Sequence, residues 1–278
     1  MRLDAAIADA AERLSPVTES ARLDAEILMC QTIDMPRSYL FAHPEDELDD
    51  LSQSRFEVLV ERRLQGEPMS YITGTREFWS HELLVSPATL VPRPETELLV
   101  ELALREIPRD AEWQILDLGT GSGAIAISVA AERSLCTITA TDISADALGI
   151  ARENVRQADL ANVTCLLGDW TSPVENQQFN IILSNPPYVR DGDEVLLTLR
   201  HEPLSALASG KDGLNDLRVL ATDCAPILAP DGWLMMEHGA DQNGDVADLL
   251  RAADWIDITC HNDLAGLPRV TVARRDGK

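Results

Sequence analysis

Ile115-Leu116-Asp117-Leu118-Gly119-Thr120-Gly121-Ser122-Gly123 is an apolar run that ends in three glycines, and Ala124 to Glu132 continue it as an apolar helical stretch. A buried strand, a glycine turn and a helix in that order make the first unit of a parallel α/β sheet, because glycine lets the backbone approach a ligand closely at a strand's carboxyl end. Downstream, apolar runs recur at Thr137 to Thr141, Val163 to Leu167, Ile181 to Leu183 and Trp233 to Glu237, with helical stretches between them. Strands alternating with helices predict a doubly wound, mostly parallel sheet of Rossmann-like α/β type. Two further runs, Ile256 to Cys260 and Arg269 to Ala273, are joined by a loop too short for a crossover helix. The last of the seven strands is therefore expected to run antiparallel.

Upstream the character changes. Met1 to about Leu64 places apolar residues at helical spacing, as in Ala6, Ala10 and Leu14, then Leu23, Ile27 and Leu28. Proline disfavours helix in the residue before it, so Ser15-Pro16, Met35-Pro36 and His43-Pro44 divide this region into three or four short helices. No catalytic constellation lies there. From Gly66 to Pro94, Tyr71-Ile72-Thr73 and Phe78-Trp79 flank Gly74 and read as a hairpin or extended linker. Val91 to Glu97 then opens a helix through about Glu106, with Pro94 in its first turn and acids facing the positive end of its dipole. The expected divisions are a helical domain over 1–66, a linker over 67–92 and the α/β body over 93–278.

Composition narrows the function classes. The 278 residues are 45% hydrophobic and 25% charged, an ordinary globular balance, with a net charge of -24 at pH 7. A polyanion meets a repulsive field from such a chain, which argues against direct nucleic-acid binding. The acidity reads as a device for solubility or as attraction for a basic protein partner. Five cysteines, Cys30, Cys136, Cys165, Cys224 and Cys260, stand among apolar neighbours with no Cys-x-x-Cys pair, so reduced thiols are expected, with neither a zinc site nor a disulfide framework. No uncharged apolar run of about eighteen residues could cross a bilayer, and a cytoplasmic location away from membranes follows as an expectation.

The chemistry-bearing residues follow the strands. The spacing Gly119-x-Gly121-x-Gly123 departs from the Gly-x-Gly-x-x-Gly of dinucleotide binders, which tilts the ligand away from NAD. Asp142, about twenty residues on at the end of the second strand, can accept hydrogen bonds from both ribose hydroxyls of an adenosine; that position serves NAD and S-adenosylmethionine alike. Gly168-Asp169-Trp170, after the third strand, would set a carboxylate near an adenine amino group and an aromatic face beside the purine.

Asn185-Pro186-Pro187-Tyr188 decides the reaction type. It directly follows the fourth strand, and its two prolines fix an extended backbone and remove two donors, leaving nearby carbonyls free to accept. An NH2 group on an sp2 carbon is a poor nucleophile because its lone pair is delocalised. If the Asn185 side-chain oxygen and the Pro186 carbonyl each take one N–H, that nitrogen is held with its lone pair aimed at an electrophilic methyl group, and alignment of this kind is worth up to roughly 7–11 kcal/mol. Neither a metal nor a general base is required.

With these motifs in place, the whole chain resembles the bacterial peptide chain release factor N5-glutamine methyltransferases. Arg76-Glu77-Phe78-Trp79, Pro87 to Glu97, Glu202 to Leu207, and Asp263 to Gly266 with Arg269 carry the likeness beyond the shared motifs. Leu267-Pro268 departs from it, standing where the family more often has polar residues. The resemblance implies a class I methyltransferase body behind a helical head and a hairpin linker. It implies N5-methylation of the glutamine in the Gly-Gly-Gln loop of class-1 release factors, with S-adenosylmethionine as donor and S-adenosylhomocysteine as product. Asn185, Pro186 and Tyr188 would be catalytic, and Asn185 to Tyr188 would hold the glutamine amide, with Tyr188 packing its side chain. Gly119, Thr120, Gly121, Ser122, Gly123, Asp142, Asp169, Trp170 and Asn185 would contact the cofactor. The helical head would help recognise the release factor, and the enzyme would act as a monomer. A glutamine methyltransferase acting on a ribosomal protein shares this plan; a nucleic-acid base N-methyltransferase shares the tetrapeptide but needs a basic surface that this chain lacks.

Overall fold

The structure is a computed structural model and describes residues 1–276. It divides into two compact units, with the boundary after Thr75.

The first unit holds α1 (Leu3–Leu14), α2 (Ala21–Ile33), α3 (Arg37–Ala42), α4 (Asp50–Leu64) and α5 (Met69–Thr73). Each of the three prolines at positions 16, 36 and 44 falls between helices, as their effect on the preceding residue requires. Asp49 caps α4 by accepting the Ser52 N–H at 2.7 Å. Leu3, Ala6, Ile7, Ala10 and Leu14 bury one face of α1 against Ala25, Leu28, Met29, Phe56 and Val60. Two acids buried within the unit are paired: Asp24 with Arg63 at 2.8 Å, and Glu26 with both Arg22 and Arg37 at 2.7 Å.

The expected linker is helical at its start, where α5 lies, and only then extended. The strands β1 (Thr75–Phe78) and β2 (His81–Leu84) pair as a two-stranded sheet across Trp79 and Ser80. Both turn residues have positive φ, 49° and 62°, the demand of a two-residue hairpin turn that asparagine and glycine usually meet. Buried Asn154 ties this hairpin to the body, accepting the Leu84 N–H at 2.7 Å and donating to the Leu84 and Ser122 carbonyls.

The body runs α6 (Glu97–Glu106), β3 (Gln114–Leu118), α7 (Ala124–Glu132), β4 (Thr137–Asp142), α8 (Ala145–Gln157), β5 (Val163–Leu167), β6 (Phe179–Ser184), α9 (Val195–Thr198), α10 (Asn215–Asp223), β7 (Leu228–Glu237), α11 (Asn243–Ala252), β8 (Ile256–Asn262) and β9 (Pro268–Arg274). The seven strands lie in the order β5-β4-β3-β6-β7-β9-β8. The neighbours from β5 to β7 pair in parallel, and β9 is antiparallel to both β7 and β8. The last strand thus runs as expected, inserted between two others.

Side chains alternate across a strand, so adjacent residues serve opposite layers. Ile115, Ile181 and Met235 pack with Leu99, Val100 and Ile127 on one face, while Leu116, Ile182 and Leu234 pack with Leu217, Leu220 and Leu250 on the other. Burial on both faces explains why these strands read as continuous apolar runs. The chain moves outward from β3 through β5 and then returns to β6 on the other side of β3. That reversal opens a crevice at the strands' carboxyl ends, the place where such sheets take ligands. Among the described residues no helix is long and apolar enough to cross a membrane.

Candidate functional site

A cavity of about 410 Å³ occupies this crevice. Gly119, Thr120, Gly121, Ser122, Asp142, Asp169, Trp170, Asn185 and Pro187 all stand on its wall, so four motifs far apart in sequence converge there. Gly123, Pro186 and Tyr188 lie outside the wall.

The glycine turn is anchored before it bends. The Gly119 and Thr120 N–H groups both donate to the Thr141 carbonyl, at 3.0 and 2.9 Å. Gly119 has φ +71°, and a Cβ there would stand 3.2 Å from Trp170 Cζ3, so only glycine admits the indole against the turn. At Gly121 a Cβ would meet nothing within 4 Å, and the backbone lies open to a ligand. A Cβ at Gly123 would press on Ile127 and Ala151 instead, which places that glycine in the packing of α7 on α8.

Asp142 is held as a two-handed acceptor. Its Oδ2 takes the Gly121 N–H at 2.8 Å and its Oδ1 the Ser144 N–H at 2.9 Å. Each oxygen keeps a lone pair for a hydroxyl, which suits a ribose diol. Beneath the turn lies Asp117, fully buried, whose Oδ2 accepts the Thr120 hydroxyl at 2.6 Å and the Ala126 N–H at 3.2 Å. Desolvation pushes its carboxyl up to about 7, and its Oδ1 has no partner.

The tetrapeptide forms a fixed corner. The Ser184 hydroxyl, at the end of β6, donates to the Leu118 carbonyl at 2.8 Å and locks the corner to β3. Beyond it, the Tyr188 and Val189 N–H groups both donate to the Leu207 carbonyl, and the Gln242 side chain donates to the Tyr188 carbonyl at 3.0 Å. Asn185 Nδ2 donates to Thr96 Oγ1 at 3.0 Å; the Thr96 hydroxyl donates to Glu237 Oε2 at 2.7 Å; the Tyr188 hydroxyl donates to Glu237 Oε1 at 3.2 Å. Burial raises the Glu237 carboxyl to about 7, and burial beside Glu237 raises the Tyr188 phenol. Among the described residues, no donor reaches Asn185 Oδ1 or the Pro186 carbonyl. Two acceptors are therefore free at one turn.

Thr96, Glu237, Gln242, Asn154 and Glu202 escaped the reading of the sequence. Glu202, almost wholly buried, accepts the Val91 N–H at 3.0 Å and pairs with Arg93, which fastens 91–93 to the segment of Pro203, Ser205 and Ala206 on the cavity wall. The likeness of Pro87 to Glu97 and of Glu202 to Leu207 to one family was the available signal. Arg269, remote in sequence, donates to the His238 carbonyl at 3.2 Å and pairs with Asp263, beside the Glu237 end of the network.

Comparison with known proteins agrees with this layout. Residues 5–74 match the family model described as the PrmC N-terminal domain, and residues 95–210 match the methyltransferase small domain. Over 264 residues the chain is 44% identical to a release factor glutamine methyltransferase of Coxiella burnetii, covering 95% of each. The chain belongs to the release factor glutamine methyltransferase family. A second family member, from Vibrio cholerae, is 41% identical over 276 residues, covering 98% of this chain and 96% of its own. Among solved structures, a methyltransferase from Pyrococcus furiosus shares the fold with a TM-score of 0.55 at 16% identity, over 78% of this chain and 97% of that one. Family membership and the sheet together make this an α/β methyltransferase.

Proposed function

We propose that this enzyme transfers the methyl group of S-adenosylmethionine to the side-chain amide nitrogen, N5, of the glutamine in the Gly-Gly-Gln motif of class-1 peptide chain release factors. The observation that carries the reading is the pair of free acceptors at Asn185 and Pro186, set on a rigid corner beside a cavity suited to an adenosine. The residues fit the donor: a side-chain-free cradle at Gly119 and Gly121, an Asp142 carboxylate with two lone pairs to spare, and the Trp170 ring on the wall.

S-adenosylmethionine, when bound, supplies an electrophilic methyl on a sulfonium and leaves as S-adenosylhomocysteine. The protein's task is the nucleophile. Asn185 Oδ1 and the Pro186 carbonyl each accept one N–H of the glutamine carboxamide, which fixes the plane of that group and aims the lone pair, perpendicular to it, at the methyl group. Both acceptors bind more strongly as positive charge grows on nitrogen, and one such preorganised contact is worth on the order of 10²–10³ in rate. Pro187 and Tyr188 stiffen the corner, and one amide proton passes to solvent as the new N–C bond forms. The net charge of -24 favours a protein substrate over a nucleic acid. Recognition of the release factor is assigned to the helical residues 1–66, and the reaction to the cytoplasm.

The test is incubation with isotopically labelled donor and, separately, purified class-1 release factor and purified ribosomal proteins, followed by peptide mass spectrometry. Methyl gain on the Gly-Gly-Gln peptide is expected. Label confined to a ribosomal protein would reassign the substrate.

A further inference from the structure

We infer that Thr96 and Glu237 form a positioning relay that fixes which end of the Asn185 carboxamide faces the substrate. The inference rests on the proposed function of the corner and names two residues that act through it.

An asparagine amide can turn by half a rotation with almost no change of shape, exchanging an acceptor for a donor. At Asn185 the exchange decides catalysis: Oδ1 toward the substrate accepts a glutamine N–H, whereas Nδ2 there would oppose donor to donor. The geometry selects one orientation. Thr96 has a single hydroxyl proton, and Glu237 Oε2, 2.7 Å away, can only accept when the carboxylate is ionised. The Thr96 oxygen is then left to accept, so the Asn185 atom 3.0 Å from it is Nδ2, and Oδ1 is turned to the other side. The Tyr188 hydroxyl occupies the second carboxylate oxygen, so the polar hydrogens point inward to Glu237 from both ends.

The polarity of the relay depends on one proton. A proton on Oε2 of Glu237 is donated in a hydrogen bond to Thr96; the Thr96 hydroxyl is then released to donate to Asn185, and the amide that answers it presents Oδ1 to Thr96 and Nδ2 to the substrate. Thr96 and Glu95 from the turn before α6, Tyr188 from the corner and Arg269 from β9 are the groups that act on Glu237. Burial outweighs Thr96, Arg269 and Tyr188, which favour the charged form, and Glu95 adds to burial, so the carboxyl stands at about 7. The enzyme therefore loses its correctly turned amide on the acid side of neutrality.

The test compares Thr96→Val, which keeps the shape without the hydroxyl, with Thr96→Ser, which restores it, and with Glu237→Gln, which cannot titrate. Single-turnover methylation rate, KM for release factor and cofactor Kd are measured from pH 6 to 9. Thr96→Val is expected to lower the rate about tenfold, equivalent to ~1.4 kcal/mol, with cofactor Kd within twofold of wild type, and Thr96→Ser to recover most of the loss. Adding Thr96→Val to Asn185→Ala should cost nothing more. The wild-type rate should fall below about pH 7, and that limb should vanish in Glu237→Gln. Wild-type turnover by Thr96→Val, an equal tenfold loss in the Asn185→Ala background, or an unchanged acid limb in Glu237→Gln would each overturn the relay. Normal turnover by Asn185→Ala itself would overturn the corner on which the relay depends.

Discussion

Replacing Asp117 by asparagine should make the α/β unit more stable in alkali relative to wild type, by an amount that grows with pH. Asp117 lies wholly buried below the glycine turn, with one carboxylate oxygen doubly bonded by donors and the other without a partner. Desolvation first, and the charge of Asp142 after it, raises this carboxyl from 3.8 to about 7 against the pull of Thr120 and Ala126. A carboxyl raised by folding favours the protonated native state, so its contribution is complete below the unfolded value and is lost as pH climbs through about 7. The whole rise is worth ~4 kcal/mol, of which roughly 2–3 kcal/mol falls between pH 5 and 8. Asparagine does not titrate. It adds a cost of about 1–3 kcal/mol for a buried NH2 without an acceptor, but that cost is the same at every pH and drops out of the comparison. Glu237 titrates in both proteins and drops out likewise. Urea unfolding followed by tryptophan fluorescence measures the difference, because all five tryptophans, Trp79, Trp113, Trp170, Trp233 and Trp255, lie in the α/β unit. A stability difference that stays constant between pH 5 and 8 would refute the assignment of a raised carboxyl to this site.

Three other changes bear on the cavity. Asn185→Ala should lower methyl transfer by on the order of 10²–10³ while cofactor Kd, read by calorimetry, changes little, since the residue acts on the nucleophile. Gly119→Ala places a side chain at φ +71° and 3.2 Å from the Trp170 ring, and should weaken cofactor binding at least about tenfold in the same titration. Glu202→Ala removes the partner of both the Val91 N–H and Arg93, loosening the wall formed by 88–93 and 203–206; a raised KM with the fold retained by circular dichroism is the expected outcome.

The sheet was legible because its physics is local. Strands buried on both faces are mostly apolar, and Ile115 to Leu118 and Phe179 to Ser184 carry that pattern, broken only by Asp117, Asn180 and Ser184. The turn was legible because Gly119 and Gly121 take positive φ, which glycine adopts without strain, and Gly119 also leaves room for the Trp170 indole. Asn185 to Tyr188 announced itself because consecutive prolines have few uses. What escaped were partners brought together by the fold. Glu237 ends an apolar strand and looks like the start of solvent, yet it is buried against Thr96, 141 positions away in the chain. Pro94 to Thr96 read as a plain helix start, and no spacing rule tells that Thr96 would turn toward the site. The hairpin at Trp79-Ser80 lacks the asparagine and glycine that normally mark such a turn, so the stretch read as a hairpin or extended linker around Gly74 without its turn being located. Gly123 shared the spacing of its neighbours and was grouped with them, but its lost Cβ serves the fit of α7 on α8.

The most direct measurement is a crystal structure of the enzyme with S-adenosylhomocysteine and a Gly-Gly-Gln peptide from a class-1 release factor. The expected result has the glutamine NH2 within hydrogen-bond distance of both Asn185 Oδ1 and the Pro186 carbonyl, with its nitrogen facing the sulfur. A glutamine bound elsewhere, or an Asn185 amide turned with Nδ2 toward it, would contradict the central claim.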